Sequence, residues 1–415
     1  MTKNKFPNNW CVVSLGDIIT PIKGRKPKTL GEKNNKFITP YITIKTFEKN
    51  IFENFTDDVI CPRCNEHDIL IVWDGARSGL VGTGVSGVIG STLAKLVCYD
   101  INPKYLYYFL QKHYETINKN TKGIGIPHVN PTILWNLEFP IPPLNEQKNI
   151  VTKIDNLFSL VTSTLELLEE IKIKVDQYRI SLFKSLFFGD YRNFFSLSSN
   201  WKEGTIGTFF EIIGGGTPST KNPKYWGGKT PWITSADIYD IKNIIPRRTV
   251  TQIGITNSST HIIPKNSILV VTRVGLGKLA ILEQDMCINQ DIQALIARNS
   301  EIYPFFALHY LSEMVKNLKY QSRGTTIAGV TKKQLSEIPF LFPPLNEQKN
   351  IVEFIEKQLF QLSHIRQILE KNNSILNSMK DSILNQAFEG KLVPQNIKDE
   401  PASLLLERIK KKKKL

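Results

Sequence analysis

The chain has 415 residues, 41% hydrophobic and 22% charged, an ordinary globular mixture with room for about two to four domains. Its net charge of +15 asks for an acidic partner, and no apolar run approaches the ~18 residues of a membrane span. The first residues lack the apolar stretch of a secretory signal, and the odd set Cys11, Cys61, Cys64, Cys98 and Cys287 does not suit a disulfide framework, so a soluble, cytoplasmic protein with no membrane partner is expected.

In chain order, the first half opens with AsnAsnTrpCysValValSerLeuGlyAspIle at Asn8, and ThrProTyrIleThr follows at Thr39. AspIleLeuIleVal at Asp68 is a β-branched run feeding a glycine-rich loop, and Pro103 to Lys119 reads as a helix. ProProLeuAsnGluGlnLysAsnIleVal then stands at Pro142 and recurs, letter for letter, at Pro343, a period of 201 residues. That period is far beyond a solenoid unit, so each copy should be a whole domain followed by the same connecting element. The second half bears this pattern: SerAsnTrp at Ser199, ThrProTrpIleThr at Thr230, SerIleLeuValVal at Ser267 and a helix over Tyr303 to Lys319. The offset grows from 191 at Trp10 and Trp201 to 201 at Gly123 and Gly324, so about ten residues are added in the second half.

After each ProPro pair the pattern becomes a long helix free of Pro and Gly. Ile150, Ile154, Leu157, Val161, Thr164, Leu168, Ile171, Val175, Tyr178 and Leu182 step by fours and threes. The second copy runs through Ile351, Ile355, Leu362, Ile365, Leu369, Leu376, Met379 and Ile383, interrupted at Gln358 and Asn372. Two imperfect seams predict that the helices pair with each other. Asn145 is the expected cap, Glu146 suits the positive end of the helix dipole, and Gly189 and Gly390 end the helices. A helix of about 45 residues spans about 65 Å at ~1.5 Å per residue, close to two turns of B-DNA at ~34 Å each.

Five segments follow: a domain over 1–140, a helix over 141–190, a domain over 191–341, a helix over 342–391 and a basic tail over 392–415. Residues 1–140 carry 17 basic and 12 acidic groups and residues 191–340 carry 17 and 10, whereas 141–190 has 6 and 7 and 341–391 has 6 and 6. The globular halves are therefore the expected polyanion contact, and the helices are expected to make protein contacts.

With GlyIleGlyIleProHisVal at Gly123, LeuIleValTrpAspGlyAlaArgSerGly at Leu70, GlyGlyGlyThrProSer at Gly214, ProTrpIleThrSerAlaAspIle at Pro231 and the twin ProProLeuAsnGluGln, the chain resembles the specificity subunit of Type I restriction-modification systems from Trp10 to about Pro394. The resemblance implies an α+β fold with two tandem target-recognition domains, separated by two long conserved helices pairing as an antiparallel coiled coil with pseudo-twofold symmetry. It implies that each domain reads half of a bipartite, asymmetric site in double-stranded DNA. It also implies partnership with two modification subunits that methylate and with restriction subunits that cleave, so the chain itself would be non-catalytic and need no cofactor.

The chemistry-bearing motifs agree. AsnProLysTyr at Asn102 and Asn222 lacks the second proline of an adenine methyltransferase motif, and GlyLeuGlyLys at Gly275 lacks the upstream glycine of a phosphate loop and reads as a tight turn. Cys61, Cys64 and His67 lack a fourth zinc ligand, so no metal is expected, and Lys410 to Lys414 read as a solvated tail. Trp73, Trp226 and Trp232 read as core more readily than as base-stacking platforms. DNA contacts are expected from Arg77 and Ser78, and from Arg273, Lys278 and Arg323, on glycine-rich loops where the backbone can approach a groove; weaker candidates are His128, Asn130, Thr325 and Thr326. Each of these also has a plain reading as a turn donor or surface charge. Pro143, Leu144, Glu146 and Gln147, and their copies Pro344, Leu345, Glu347 and Gln348, are expected to start the helices and present one surface to two identical partners. Two other readings are a coiled-coil scaffold that binds nucleic acid without sequence choice, and a fused methyltransferase and specificity protein, against which the missing motifs stand.

Overall fold

A computed structural model describes residues 6–123, 125–188, 200–321 and 329–414. The chain divides into two compact units, one made of Met1–Glu170 with Leu369–Leu415 and the other of Ile171–Ile368. Each unit therefore holds one globular domain and a part of both long helices.

In the first unit Cys11–Ser14 pairs antiparallel with Glu138–Ile141. A four-stranded sheet runs Ile19–Lys23, Leu93–Cys98, Ile69–Val72, Val81–Gly82, and a second runs Phe55–Thr56, Thr39–Ile42, Gly87–Ile89, Arg63–Cys64, with its central pair parallel. All four residues of Ile69–Val72 are buried, because Ile69 and Ile71 enter one core while Leu70 and Val72 enter another. That is why the strand reads as a continuous apolar run instead of alternating. The predicted helix over Pro103 to Lys119 is two helices, Pro103–Lys112 and Tyr114–Lys119, divided at His113. Asn102 accepts from the Lys104 amide at 3.0 Å, so the first AsnPro pair is a helix cap, and Asn222 caps the short turn Pro223–Tyr225 in the same way.

The second unit repeats the strand order. Lys202–Thr205 pairs with Pro339–Phe342; one sheet runs Phe210–Gly214, Ile292–Ala297, Ile268–Val271, Leu279–Ile281 and the other Arg248–Val250, Trp226–Ile233, Met286–Ile288, Ile262–Ile263. The parallel pair Tyr41 with Val88 has its copy in Trp232 with Cys287. Strand pairing also locates the added residues: the offset is 191 at Thr39 and Thr230, but 194 at their partners Thr56 and Val250. Three extra residues therefore lie in the turn between these two strands, and others lie before Ile262.

The long helices are Leu144–Phe188 and Leu345–Phe388. In the first unit Ile150, Ile154 and Val161, early in one helix, share a core with Ile383, Leu384 and Ala387, late in the other. In the second unit Leu182, Phe183 and Leu186 share a core with Ile351, Val352 and Ile355, so the pairing is antiparallel in each. Gln358, which breaks the seam in sequence, accepts from the Tyr178 hydroxyl at 3.3 Å. In its last turn each helix drives a phenylalanine into a domain core: Phe388 lies 5.0 Å from Tyr105 and 5.4 Å from Phe109, and Phe187 lies 5.6 Å from Phe306 and 5.3 Å from Tyr310. Gly390, at φ +70°, closes the second helix, with the Lys391 amide donating to the Gln386 carbonyl at 2.8 Å; Gly189 lies outside the described residues.

The tail departs from its expected form. Ala402–Lys414 is a helix whose Ala402, Leu405 and Ile409 are buried in the first unit's core. Lys412, itself exposed, bridges to Asp100 at 2.7 Å and Lys413 donates to the Gly16 carbonyl, so the lysine run is paired with the first unit at these two positions. The alternation Leu405, Ile409 at helical spacing supplies the apolar face that the lysine run obscures.

Candidate nucleic-acid interface

In the first unit the glycine-rich loop Trp73–Gly79 is fixed from inside. Gly75 and Gly79 take φ +115° and +95°, and a Cβ on Gly79 would lie 2.6 Å from the Ile117 Cγ2. The Gly75 amide donates to the Pro127 carbonyl at 2.7 Å and the Val129 amide to the Trp73 carbonyl at 2.8 Å, which joins this loop to the one carrying His128. Ser78 corrects the sequence reading: it is fully buried, and its hydroxyl lies 2.6 Å from the Gly75 carbonyl and 3.2 Å from those of Trp73 and Pro127, so it shapes the loop and cannot reach a groove. Asn130 is likewise engaged, accepting from the Thr132 amide at 3.1 Å as cap of Pro131–Trp135. His128 is half-buried and pairs its backbone with Lys122 in both directions at 2.9 Å. Arg77 projects from the loop, half exposed, and its Nη1 pairs with Glu48 on the helix Ile44–Lys49.

The second unit builds the same loop over residues 272–278, with Gly275 and Gly277 at φ +86° and +95°, the tight turn expected there. The Val330 amide donates to the Thr272 carbonyl at 2.9 Å, the counterpart of the Val129 bond. Arg273 is exposed, and the neighbouring Val274 is 72% exposed. Lys278 is a second correction: its ammonium donates to the Ser235 and Ile238 carbonyls at 3.1 and 3.0 Å, tying the loop to the turn Ser235–Asp237. Arg323, Thr325 and Thr326 lie outside the described residues.

Both loops are thus tied by a cation to the turn that follows the ThrPro strand. In the first unit Thr43 and Thr46 box that turn, in the second Thr234 and Asp237. Asp237 also holds Arg247, a residue the motif reading passed over. Burial pushes the Asp237 carboxyl up, but the Thr234 amide and hydroxyl and the Arg247 guanidinium outweigh it and hold the carboxyl below its ordinary value. Arg248 lies 5.3 Å over the Trp226 ring, which in turn packs edge-on against the buried Trp232 at 5.1 Å. The sequence signal was ArgArg at the end of the lengthened turn.

The helix starts are internal clamps. Gln147 accepts from the Asn102 amide at 2.9 Å and donates to the Pro142 carbonyl at 3.0 Å; Gln348 accepts from the Tyr303 amide at 2.8 Å and donates to the Glu301 and Pro343 carbonyls at 2.7 Å. Both glutamines are fully buried, so their identity is explained by the bond from helix start to domain helix, not by a shared outer surface as the sequence suggested. Pro143 is buried and Glu146 is 2% exposed, while Leu144 and Leu345 are half-buried and Pro344 is exposed. Burial pushes the Glu146 carboxyl up despite the neighbouring Trp10 indole and the Asn9 side-chain amide, which donates to Oε2 at 3.5 Å, whereas Glu347 is half-buried. Asn145 is not the cap: the helix begins at Leu144, and the Asn145 amide donates to Asp399 of the tail at 3.2 Å.

Cys61 and Cys64 are buried, His67 is exposed, and no three or more His, Cys, Asp or Glu side chains gather as a metal site among the described residues. No described helix is long and apolar enough to cross a membrane.

Duplicated basic domains with loop-borne cations, carried on antiparallel helices, define a tandem recognition protein for a polyanion. A family model described as the Type I restriction modification DNA specificity domain matches residues 7–173 and 198–375, and the chain belongs to that family. Its role is DNA sequence recognition. The chain is 25% identical to the Type I restriction enzyme MjaVIII specificity subunit of Methanocaldococcus jannaschii, over 95% of both chains, and 23% identical to the EcoBI specificity subunit of Escherichia coli, over 97% of this chain and 92% of that one. The HsdS subunit from Thermoanaerobacter tengcongensis shares the fold at a TM-score of 0.64 and 19% identity, over 94% of this chain and 99% of that one. A chain solved under the words "Structural basis underlying complex assembly and conformational transition of the type I R-M system" superposes at a TM-score of 0.73 and 20% identity, over 94% and 100%.

Proposed function

We propose that the chain is the non-catalytic reading subunit of a cytoplasmic Type I restriction-modification complex, in which each domain reads one half of a bipartite, asymmetric DNA site. The domains are those over 1–140 and 191–341, and the helices between and after them set the gap between half-sites. Methylation falls to two modification subunits and cleavage to restriction subunits. The observation that carries this reading is the divergence inside an otherwise repeated fold: strand order and helix clamps repeat, while the cations facing outward differ, Arg77 in one domain and Arg247 and Arg273 in the other. A protein that bound duplex without sequence choice would have no use for that difference. Modification subunits would find the same exposed residues at both helix starts, Lys148 with Asn149 and Lys349 with Asn350.

Methylome sequencing of a host expressing the chain with its modification subunit tests the reading. The expected result is paired modified bases at a fixed spacing within two unlike half-sites; continuous or absent sites in the presence of an active modification subunit would overturn it. Four residues inserted after Glu170, about 6 Å of helix, should widen the gap by about one or two base pairs.

A further inference from the structure

We infer that Arg247 is a base-reading residue of the second domain, held by Asp237 so that its guanidinium end makes a bidentate contact with a guanine edge in the major groove; this rests on the DNA-reading role proposed above.

The geometry is that of a supported arginine. Asp237 is 3% exposed and stands in the turn Ser235–Asp237. Its Oδ2 accepts from the Thr234 amide at 2.7 Å and the Thr234 hydroxyl at 2.8 Å, so the carboxylate cannot swing. The remaining oxygen, Oδ1, takes the Nε of Arg247, whose side chain is 60% exposed. Anchoring at Nε spends one donor and freezes the long side chain. Among the described residues the Nη1 and Nη2 nitrogens take no partner, and these two parallel donors match the O6 and N7 acceptors of guanine.

Three observations favour a base over a phosphate. First, the pair is near neutral, so Arg247 adds little long-range attraction to a backbone while keeping a directional fork. Second, the same turn receives Lys278 from the glycine-rich loop that presents Arg273, so Arg247 belongs to that loop's neighbourhood. Third, Arg247 ends the turn in which the second domain is three residues longer than the first, where half-site choice would be written. The first domain uses the equivalent turn differently: Glu48 on the helix Ile44–Lys49 pairs with Arg77 of the glycine-rich loop.

The experiment uses the full chain assembled with its modification subunit, and measures binding and methylation on the cognate duplex and on every single-base-pair variant of both half-sites. Arg247→Lys keeps the charge but loses the fork. It is expected to lower discrimination at one G·C pair of the second domain's half-site by about 5- to 150-fold, the ~1–3 kcal/mol of one bidentate contact, and to leave the other half-site unchanged. Asp237→Asn should relax the same pair while raising affinity for unrelated duplex, because a negative charge is removed. Full discrimination by Arg247→Lys at every position would overturn the inference. So would an Arg247→Ala variant that weakens all duplexes equally, since that is a phosphate contact. A wild-type complex that discriminates at neither half-site would overturn the DNA-reading role itself, which keeps the two failures apart.

Discussion

The helix starts and the turns after the ThrPro strands are both duplicated, yet only the helix starts kept their chemistry. Gln147 and Gln348 sit at equivalent positions, fully buried, each joining a long helix to the first residues of a domain helix. A buried donor and acceptor with fixed partners tolerate no substitute, because any change leaves backbone groups unpaired. The turns share a frame, with Thr43 in one and Thr234 in the other, but their carboxylates come from different positions and hold different arginines. Exposed groups have fewer fixed neighbours than buried ones, so they are freer to diverge. The comparison teaches that a buried side chain bonded to fixed backbone partners is held constant between the halves, while the exposed turns keep a frame and change their charged groups.

The strongest way to test the shared part is at the helix ends. Phe388→Ala and Phe187→Ala should each destabilise their own unit by about 3–5 kcal/mol, since each ring fills an aromatic cluster and is 3% exposed. Hydrogen exchange resolved by segment would show the loss confined to one unit; an equal loss in both would break the picture of separate cores. Next in size, Gln348→Ala strands three backbone groups and Gln147→Ala two, so losses of about 3 and about 2 kcal/mol are expected in denaturant titrations. Equal losses would mean that the extra Glu301 bond contributes nothing.

A sharper contrast comes from pH. Position 309 is His where the first unit has Tyr108, and burial, with Lys242 and Arg179 adding to it, pushes the His309 imidazole down to about 4. Above pH 6.5 the group is neutral whether folded or not. Below that the unfolded chain takes up a proton the folded unit refuses, so stability falls as pH drops, by about 2 kcal/mol at pH 5, and the fall levels off below about 4. His309→Phe should flatten this decline when exchange of Pro304–Gln321 is followed; His113, also pushed down to about 4 by burial and by Lys112, leaves the first unit its own decline. The smallest effect is expected from Lys412→Ala, which removes a half-exposed ion pair to Asp100 and should change the first unit's melting by under about 1 kcal/mol while leaving the second untouched. A large loss there would show that the lysine pair, not Leu405 and Ile409, docks the tail helix.

Much of the fold was legible. The decapeptide repeat gave the duplication, the fours and threes from Ile150 gave the paired helices, and Ile69–Val72 gave a buried strand, because periodicity and local apolar content are properties of the chain alone. The site was less legible. Glycine-rich loops single out Arg77 and Arg273, and both are exposed, but Ser78, Asn130 and Lys278 bond to backbone groups of their own domains, and no motif marks Arg247. The partners that decide these cases are distant in sequence: Pro127 for Ser78, Ser235 and Ile238 for Lys278.

The sequence by itself determined the two-domain plan, the two long helices, the basic balance of the domains and the family. Only the tertiary structure decided which donors face outward. A hydroxyl, amide or ammonium on a glycine-rich loop reads the same in the chain whether its partner is a nucleic acid or a backbone carbonyl 40 residues away, and only folding brings that carbonyl near. The tail shows the same limit from the other side: Lys410 to Lys412 are exposed as expected, but the helix that carries them is docked by Leu405 and Ile409, whose core lies far back in the chain.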